Sequence, residues 1–329
     1  MNHNIPKILL YAALISLCAC SVDSTASKSS VPSVSAQTVS LDNANKSVES
    51  KQSENSILYF DEIYIDEDSL EYGAYQVEKR SKTLWLKEAE TNAEVTYVVL
   101  KRNGKTSATF EGIHYPLGND ARFGLFSVLG KESKQLIIEQ EAHREWQHWV
   151  VDLSPNAKVI YDSGDYPVGH SLRAIDIDQD GKYELIQSLL SFWFWGRFSN
   201  VDSPFIEVIF VYNPTLQKYI PANPQFQEFA LRNIVDDIRK AKEIKADSNQ
   251  SGQDKGKFGA VLKVVLTYLY TGKEQEAWSF YESDYNLPDK KEMKVEIQKA
   301  LGRDAVYKAL KNNDATNISM NVRTKQRLY

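Results

Sequence analysis

The residues best suited to chemistry form one short acidic loop, 176–184, which reads D-I-D-Q-D-G-K-Y-E. Alternate carboxylates in such a loop can aim oxygen atoms at one centre, and Gly181 permits a sharp turn. Ca²⁺ prefers roughly six to eight hard oxygen ligands, so this spacing predicts one Ca²⁺ site. The predicted ligands are the side chains of Asp176, Asp178 and Asp180, the backbone carbonyl of Lys182, and Glu184, directly or through water.

The loop differs from an EF-hand in its last ligand and in its flanks. Gln187 stands where an EF-hand has a bidentate Glu, and segments 172–175 and 183–190 have the pattern of strands. The loop resembles instead the calcium loops of FG-GAP and VCBS-type repeats, where D-x-D-x-D-G-x-x-E/D-L joins two strands; here Glu184-Leu185 completes the pattern. The resemblance implies a structural ion that fastens a hairpin. The motif occurs once, whereas a propeller of such repeats needs several copies.

Two other interpretations of the loop stay open, namely a metal-free acidic turn and a catalytic metal site. Three carboxylates so close in sequence repel one another without a cation, which counts against the metal-free turn. The motif contains no histidine, so it does not indicate a transition-metal centre.

An aromatic run, F-W-F-W at 192–195, follows the loop closely. On an extended strand Trp193 and Trp195 would share one face, and two exposed indoles can stack on sugar rings. These two residues are therefore candidate contacts for a glycan-binding or glycan-processing protein, with Asp162 and Asp165 as candidate acids. A strand buried on both faces explains the same run, and we favour that interpretation.

No catalytic set is recognisable elsewhere in the chain. His143 and His148 are five residues apart, a spacing that does not suit a metal pair on a strand or a helix, and His114 and His170 are isolated. The serines lack a nucleophile-elbow pattern, and no phosphate-binding glycine motif occurs. We therefore predict a non-catalytic binding or scaffold role, with no catalytic residues assigned.

The elements that must position the loop are predicted from hydrophobic periodicity. Short β-type runs separated by turn residues fill the region 57–221, and Asn103-Gly104 between two of them indicates a hairpin. Helical periodicity follows over 222–310, beginning with apolar residues at four- and three-residue intervals from Phe226 to Ala241. Gly272 predicts the end of a more apolar helix, 261–270, and Pro288 suits a first helical position. We predict an α+β fold, in which an antiparallel β-rich domain (sandwich or propeller-blade-like) precedes an α-helical C-terminal region and a loose polar tail, 311–329.

The segment 268–281 suggests a use for the predicted helices. Its Tyr268, Gly272, Ala277 and Tyr281 resemble one tetratricopeptide-type helical hairpin. A single repeat cannot bury its own apolar face, so we expect this hairpin to pack on the β region. A groove for a partner peptide is the alternative, and it would make the protein an envelope assembly factor.

The N-terminus predicts where the protein works. Lys7 precedes the apolar run 8–19, which is too short to span a bilayer and has the form of a secretory signal peptide, 1–19. Its end, L-C-A-C, resembles the bacterial lipoprotein signal, which implies that Cys20 is lipidated, with acyl chains such as palmitate. Ser21 after that cysteine, rather than Asp, implies the outer membrane in a Gram-negative host. A cleaved signal without lipid is the alternative.

Composition agrees with a lipid-anchored bacterial envelope protein. Residues 20–56 are polar, lack aromatic side chains and predict a disordered tether. Both cysteines, Cys18 and Cys20, lie in the signal region, so the body offers no thiol for a disulfide, a zinc site or a nucleophile. The net charge is -5 and no basic block is present, which counts against nucleic acid as a partner. The expected partners are the membrane, through the lipid, and an envelope protein or glycan.

Overall fold

The computed structural model describes residues 57–87, 90–112, 119–142, 145–193, 195–196, 203–244 and 255–312. The predicted signal peptide 1–19, Cys20, the tether 20–56 and residues 313–329 of the predicted tail lie outside this part of the chain. His114, His143 and Phe194 also lie outside it.

Strands follow one another as three antiparallel meanders of four strands each. The first contains β2 (Ser69–Tyr72), β3 (Tyr75–Leu86), β4 (Thr91–Arg102) and β5 (Lys105–Phe110). The second contains β6 (Asn119–Phe126), β7 (Gln135–Ala142), β8 (Glu145–Asp152) and β9 (Lys158–Asp162). The third contains β10 (Val168–Ile175), β11 (Glu184–Leu189), β12 (Glu207–Asn213) and β13 (Lys218–Pro221), and the short β1 (Leu58–Tyr59) pairs with β10.

Local sequence explains the best-formed hairpin. The strand β4 is rich in β-branched residues, which suit a pleated and half-buried surface. It turns into β5 at Asn103 and Gly104, whose φ angles are 49° and 75°. Two consecutive positive φ angles characterise the tight turn that Asn-Gly favours, so the predicted hairpin is confirmed.

The second meander is buried on both of its faces. On β7, Leu136 belongs to a core with Val77 and Leu100 of the first meander, whereas the next residue, Ile137, belongs to a core with Leu172 of the third. Among the described residues, the parallel pair Val95–Asn119 is the single strand pairing that joins the first and second meanders into one sheet. The chain must therefore bend there and fold the first meander over the second, because both contribute side chains to the same core.

This architecture confirms the predicted α+β fold class, with antiparallel β-rich sheets followed by C-terminal helices. No closed barrel forms among the described strands.

The C-terminal helices are α1 (Gln227–Ala230), α2 (Ile234–Glu243), α3 (Lys255–Tyr270), α4 (Glu274–Asp284), α5 (Lys290–Leu301) and α6 (305–312). The predicted continuous helix from Phe226 to Ala241 is interrupted at 231–233, where Arg232 N–H bonds to the Phe229 carbonyl and tightens the turn. The predicted stop after α3 is confirmed at Gly272, where φ is 81°. Pro288 was expected in the first helical position, but α5 begins two residues later.

Helices α3 and α4 form the predicted helical hairpin. Their apolar side chains, including Val265, Leu269 and Tyr281, share one core with residues of the second and third meanders. Thr271 N–H and Gly272 N–H bond back to carbonyls in the last turn of α3, which lets the chain reverse into α4.

Burial of β7 on both faces predicts two separate large stability losses. Leu136→Ala and Ile137→Ala should each lower the free energy of unfolding by about 2–5 kcal/mol, because each leaves a cavity in a different core. Leu216→Ala is the control, since Leu216 is 58% exposed and should change stability by less than about 0.5 kcal/mol. Urea unfolding checks all three, and a small loss for either buried variant would contradict the two-faced layer.

Candidate metal centre

The acidic loop connects β10 to β11, two neighbouring antiparallel strands. Ile175 and Glu184 are paired across the strands, so the loop leaves and re-enters the sheet at one edge of this pair. Gln179 and Gly181 have φ angles of 61° and 85°, which fold the intervening chain sharply. The strands that the sequence predicts on both sides of the loop are therefore present.

Three carboxylates of the loop converge. One oxygen each from Asp176, Asp178 and Glu184 lies within 4.8 Å of the others. Glu184 is buried, Asp176 is half-buried and Asp178 is exposed, so the cluster spans the boundary between the protein interior and solvent. This arrangement could hold a metal ion.

Backbone N–H groups donate to all three carboxylates, including Asp180 N–H to Asp178 Oδ1 at 3.3 Å. Gly181 N–H donates to Asp176 Oδ2 at 3.0 Å, and Ile177 N–H donates to Glu184 Oε2 at 2.8 Å. The other oxygen of Asp176, Oδ1, is buried and has no hydrogen-bond partner among the described residues. A buried carboxylate oxygen without a donor is costly, and a cation bound there would remove that cost.

The two remaining predicted ligands, Asp180 and Lys182, bond to each other. Asp180 accepts hydrogen bonds from Lys182 N–H at 2.7 Å and from Lys182 Nζ at 3.1 Å. Its carboxylate is thereby held by Lys182 and does not belong to the converging group. Ligation by Asp180 and by the Lys182 carbonyl stays a prediction.

Electrostatics also single out Glu184. Burial of its carboxyl group raises the pKa to about 7, with smaller contributions from the charges of Asp178 and Asp176, against a lowering by the Ile177 N–H. The carboxyl group therefore takes up a proton at a higher pH than an ordinary glutamate does. A bound cation would favour the ionised form and reverse this effect.

The loop is held against its neighbours through Tyr183. Its N–H donates to the Val128 carbonyl of the β6–β7 connection at 2.8 Å, and its carbonyl accepts from Tyr219 Oη at 3.0 Å. The Tyr183 ring packs edge-on against Phe126, with centroids 5.1 Å apart. An ion in the loop would therefore stiffen a contact between the second and third meanders.

In the aromatic run after β11, Phe192 and Trp193 lie in a turn, and none of the described residues of the run lies in a strand. Phe192 is fully buried, whereas Trp193 and Trp195 are half-buried. The Trp195 ring packs against Phe192 and Phe258 of the core, with centroids 5.4 and 6.2 Å apart. The Trp193 ring instead packs against His170 at 5.4 Å, so the two indoles have different surroundings.

The candidate acids of the glycan interpretation have structural partners. Asp162 accepts from Gly164 N–H at 2.8 Å and caps a short 3-10 turn. Asp165 forms an exposed ion pair with Lys218 at 3.4 Å.

Sequence reasoning missed a buried polar network between the second and third meanders. Fully buried His148 bonds through Nε2 to Glu139 at 2.8 Å, while its Nδ1 accepts from the Gln187 amide at 2.9 Å. Tyr161 Oη donates to the Gln187 side-chain oxygen. The sequence shows these polar residues in predicted strands but contains no signal that they meet.

Glu139 carries the charge of this network. Burial acts to raise its pKa, but the hydrogen bonds from His148 and Arg122 and the charge of Arg122 outweigh burial and hold the pKa below the usual value. The Arg122 guanidinium bonds to Glu139 and also lies 3.2 Å from Asp61. The buried carboxylate is thus ionised and paired, which is the condition for stable burial of a charge.

Comparison with protein families, curated proteins and solved structures finds no match to this chain. Within the described residues, none of the helices combines the length and the apolar character that crossing a membrane requires.

The raised pKa of Glu184 predicts a pH dependence of the metal-free protein. Folded Glu184 binds a proton more tightly than unfolded Glu184, so its contribution to stability is fully present below the unfolded pKa of 4.5 and is lost as pH rises through about 7. Glu184→Gln should reduce the fall in the free energy of unfolding over this pH range by about 1–3 kcal/mol. This range allows for solvent screening at the outer part of the loop. Urea unfolding with chelator from acidic to slightly alkaline pH measures the difference, and parallel curves for wild type and variant would contradict it.

Proposed function

We propose that this protein is a lipid-anchored bacterial envelope protein with a non-catalytic binding or scaffold role, whose β domain is stabilised by one structural Ca²⁺. The observation that carries the proposal is the convergence of Asp176, Asp178 and Glu184, with one buried Asp176 oxygen lacking a partner among the described residues. The ion would neutralise these carboxylates where the loop contacts the second meander.

The donor set favours Ca²⁺ over other metals. All three converging groups are carboxylates, and hard oxygen donors suit Ca²⁺, Mg²⁺ or Mn²⁺ rather than softer metals. Mg²⁺ demands nearly ideal octahedral geometry, whereas Ca²⁺ accepts irregular sites and retains water. Asp178 is exposed, so water can reach this side of the loop and complete the coordination of the ion.

A structural role for the ion fits its surroundings better than a catalytic role. The loop joins two strands and contacts Val128 and Tyr219 through Tyr183. The candidate acids Asp162 and Asp165 are engaged in a turn cap and an ion pair, which gives little support to glycan processing. The core packing of Trp195 likewise supports a role in stability.

The envelope location rests on the N-terminal sequence. A short apolar segment that ends in L-C-A-C, followed by the polar stretch 20–56, suits a lipid anchor at Cys20 and a tether to the β domain. More than one acyl chain is needed for stable attachment, as lipoproteins of this type carry.

Calcium should raise the melting temperature of the chelator-treated protein. At a concentration about 100-fold above the dissociation constant, binding contributes about 2.7 kcal/mol, or roughly 5–10 °C for a domain of this size. Asp178→Ala should abolish the shift, because it removes a converging carboxylate that is exposed and not needed for packing.

Asp236→Asn is the matched control, since Asp236 is an exposed acid on α2 outside the loop. It should keep the full calcium shift. An unchanged melting temperature in the wild type, or an equal shift in Asp178→Ala, would refute the metal proposal.

The lipid anchor predicts different outcomes for the two cysteines. Cys20→Ser should leave an unprocessed precursor that incorporates no labelled fatty acid in a bacterial host, because the serine hydroxyl cannot replace the acceptor thiol. Cys18→Ser is the control and should be processed and labelled normally. Labelling of Cys20→Ser at the wild-type level would refute the assignment of the acceptor.

A further inference from the structure

A cavity of about 430 Å³ lies between the third meander and the helices α2 and α3. Two residue pairs across neighbouring strands, Tyr59–Arg173 and Ser188–Glu207, contribute side chains to the wall of this cavity. They lie on one face of the sheet, opposite to the face that packs on the second meander. Its volume is within the range of small-molecule sites.

Two arginines in this cavity share a single carboxylate. Arg173 Nη2 lies 3.0 Å from Glu207 Oε1, and Arg232 Nη2 lies 2.6 Å from Glu207 Oε2. Although burial raises the Glu207 pKa, the hydrogen bonds and charges of both arginines hold it below the usual value. The two guanidinium groups and the one carboxylate therefore have a net formal charge of +1.

The other ion pair in the cavity does not cancel this surplus. Lys263 Nζ lies 2.9 Å from Asp237 Oδ1, so these two side chains neutralise each other. The cavity as a whole keeps a net formal charge of +1, from Arg173, Arg232 and Lys263 against Glu207 and Asp237.

Arg173 has hydrogen-bond donors to spare. A guanidinium carries about five N–H donors. Among the described residues, the one acceptor of Arg173 is Glu207, through Nη2. The side chain is only 16% exposed, so its remaining N–H groups need an acceptor that the cavity can admit.

Arg232 is held in a fixed orientation. Its guanidinium stacks on the Phe229 ring at 3.9 Å, and Nη1 donates to the Phe229 carbonyl at 2.8 Å. These contacts follow from the interruption of the predicted helix at 231–233, which directs Arg232 to Glu207. A fixed planar cation suits a carboxylate ligand better than a mobile one does.

The rest of the wall mixes polar groups with rings. Ser171 and Asn233 offer hydrogen-bonding groups, and Phe205 packs edge-on against His170 with centroids 5.5 Å apart. His170 has a φ of 61°, a strained conformation for a residue other than glycine, and its carbonyl accepts from the Gln187 amide at 3.0 Å. Buried His170 Nε2 has no hydrogen-bond partner among the described residues.

We propose that this cavity binds a small molecule that carries one carboxylate on a polar body, with the carboxylate at Arg173 and Arg232. One surplus positive charge matches a monoanion, whereas a phosphate dianion would leave a buried negative charge. The polar groups and rings on the walls suit a body of sugar or dipeptide size. The inference rests on the proposed binding role but is independent of the lipid and the metal.

Calorimetric titration of the mature full-length protein tests the inference. The probes are glucuronate and N-acetyl-Ala-Ala, against the uncharged glucose and N-acetyl-Ala-Ala amide, with glucose 1-phosphate as the phosphate probe. At least one of the two carboxylate probes should bind with a dissociation constant of about 10 mM or lower. Its dissociation constant should be about tenfold lower than that of its uncharged counterpart and that of glucose 1-phosphate. Arg173→Gln should weaken that binding by about tenfold or more.

Arg239→Gln is the matched control, because Arg239 lies on α2, which follows the turn that contains Arg232, but pairs with Asp236 and Glu243 outside the cavity. It should leave binding unchanged. Arg173→Gln should fold because Arg232 still pairs with Glu207, and Arg232→Gln provides a second variant with Arg173 retained.

Three results would overturn the inference: no carboxylate binding to the folded wild type, equal or tighter binding of the uncharged or phosphate probes, or unchanged binding in both arginine variants. The calcium melting shift is measured on the same preparation. Absence of carboxylate binding with an intact calcium shift counts against the cavity proposal alone. Carboxylate binding without a calcium shift counts against the metal proposal alone.

Discussion

The structure depends on one constraint, the burial of the second meander on both faces. Alternate residues of β7, such as Leu136 and Ile137, enter two different cores. Neither face can be left in water, so the first meander must fold back over one side while the third covers the other. Among the described residues, the strands of the first two meanders pair at one position, Val95–Asn119. This is consistent with the bend, because continuous pairing would keep the two meanders side by side in one sheet.

Covering one layer with another does not by itself choose a register, and the buried network supplies a specific one. Glu139 and His148 of the second meander meet Gln187 of the third, and the buried side chains of these three residues are joined by hydrogen bonds. A shift by one residue would turn Gln187 to the other face and leave His148 and Tyr161 unsatisfied. The same Gln187 amide bonds to the strained His170 backbone, so the network also shapes one end of the cavity.

The two proposed sites use different parts of the third meander. The acidic loop extends from the end of the β10–β11 hairpin toward the second meander, whereas the cavity lies on the sheet face toward α2 and α3. An ion in the loop would therefore stabilise layer packing without occupying the cavity. Such separation suits a protein in which a structural ion supports a domain and another surface recognises a ligand.

The sequence by itself determined the α+β class, the Asn103-Gly104 hairpin, the stop at Gly272 and the strand-flanked acidic loop, because each depends on neighbouring residues and backbone preferences. It could not determine that the chain turns at 231–233 and brings Arg232 to Glu207. It also did not indicate that Glu139, His148 and Gln187 form a hydrogen-bonded network. Those arrangements join residues far apart in the chain, and only the folding of three layers and the helices over one another brings their charges together.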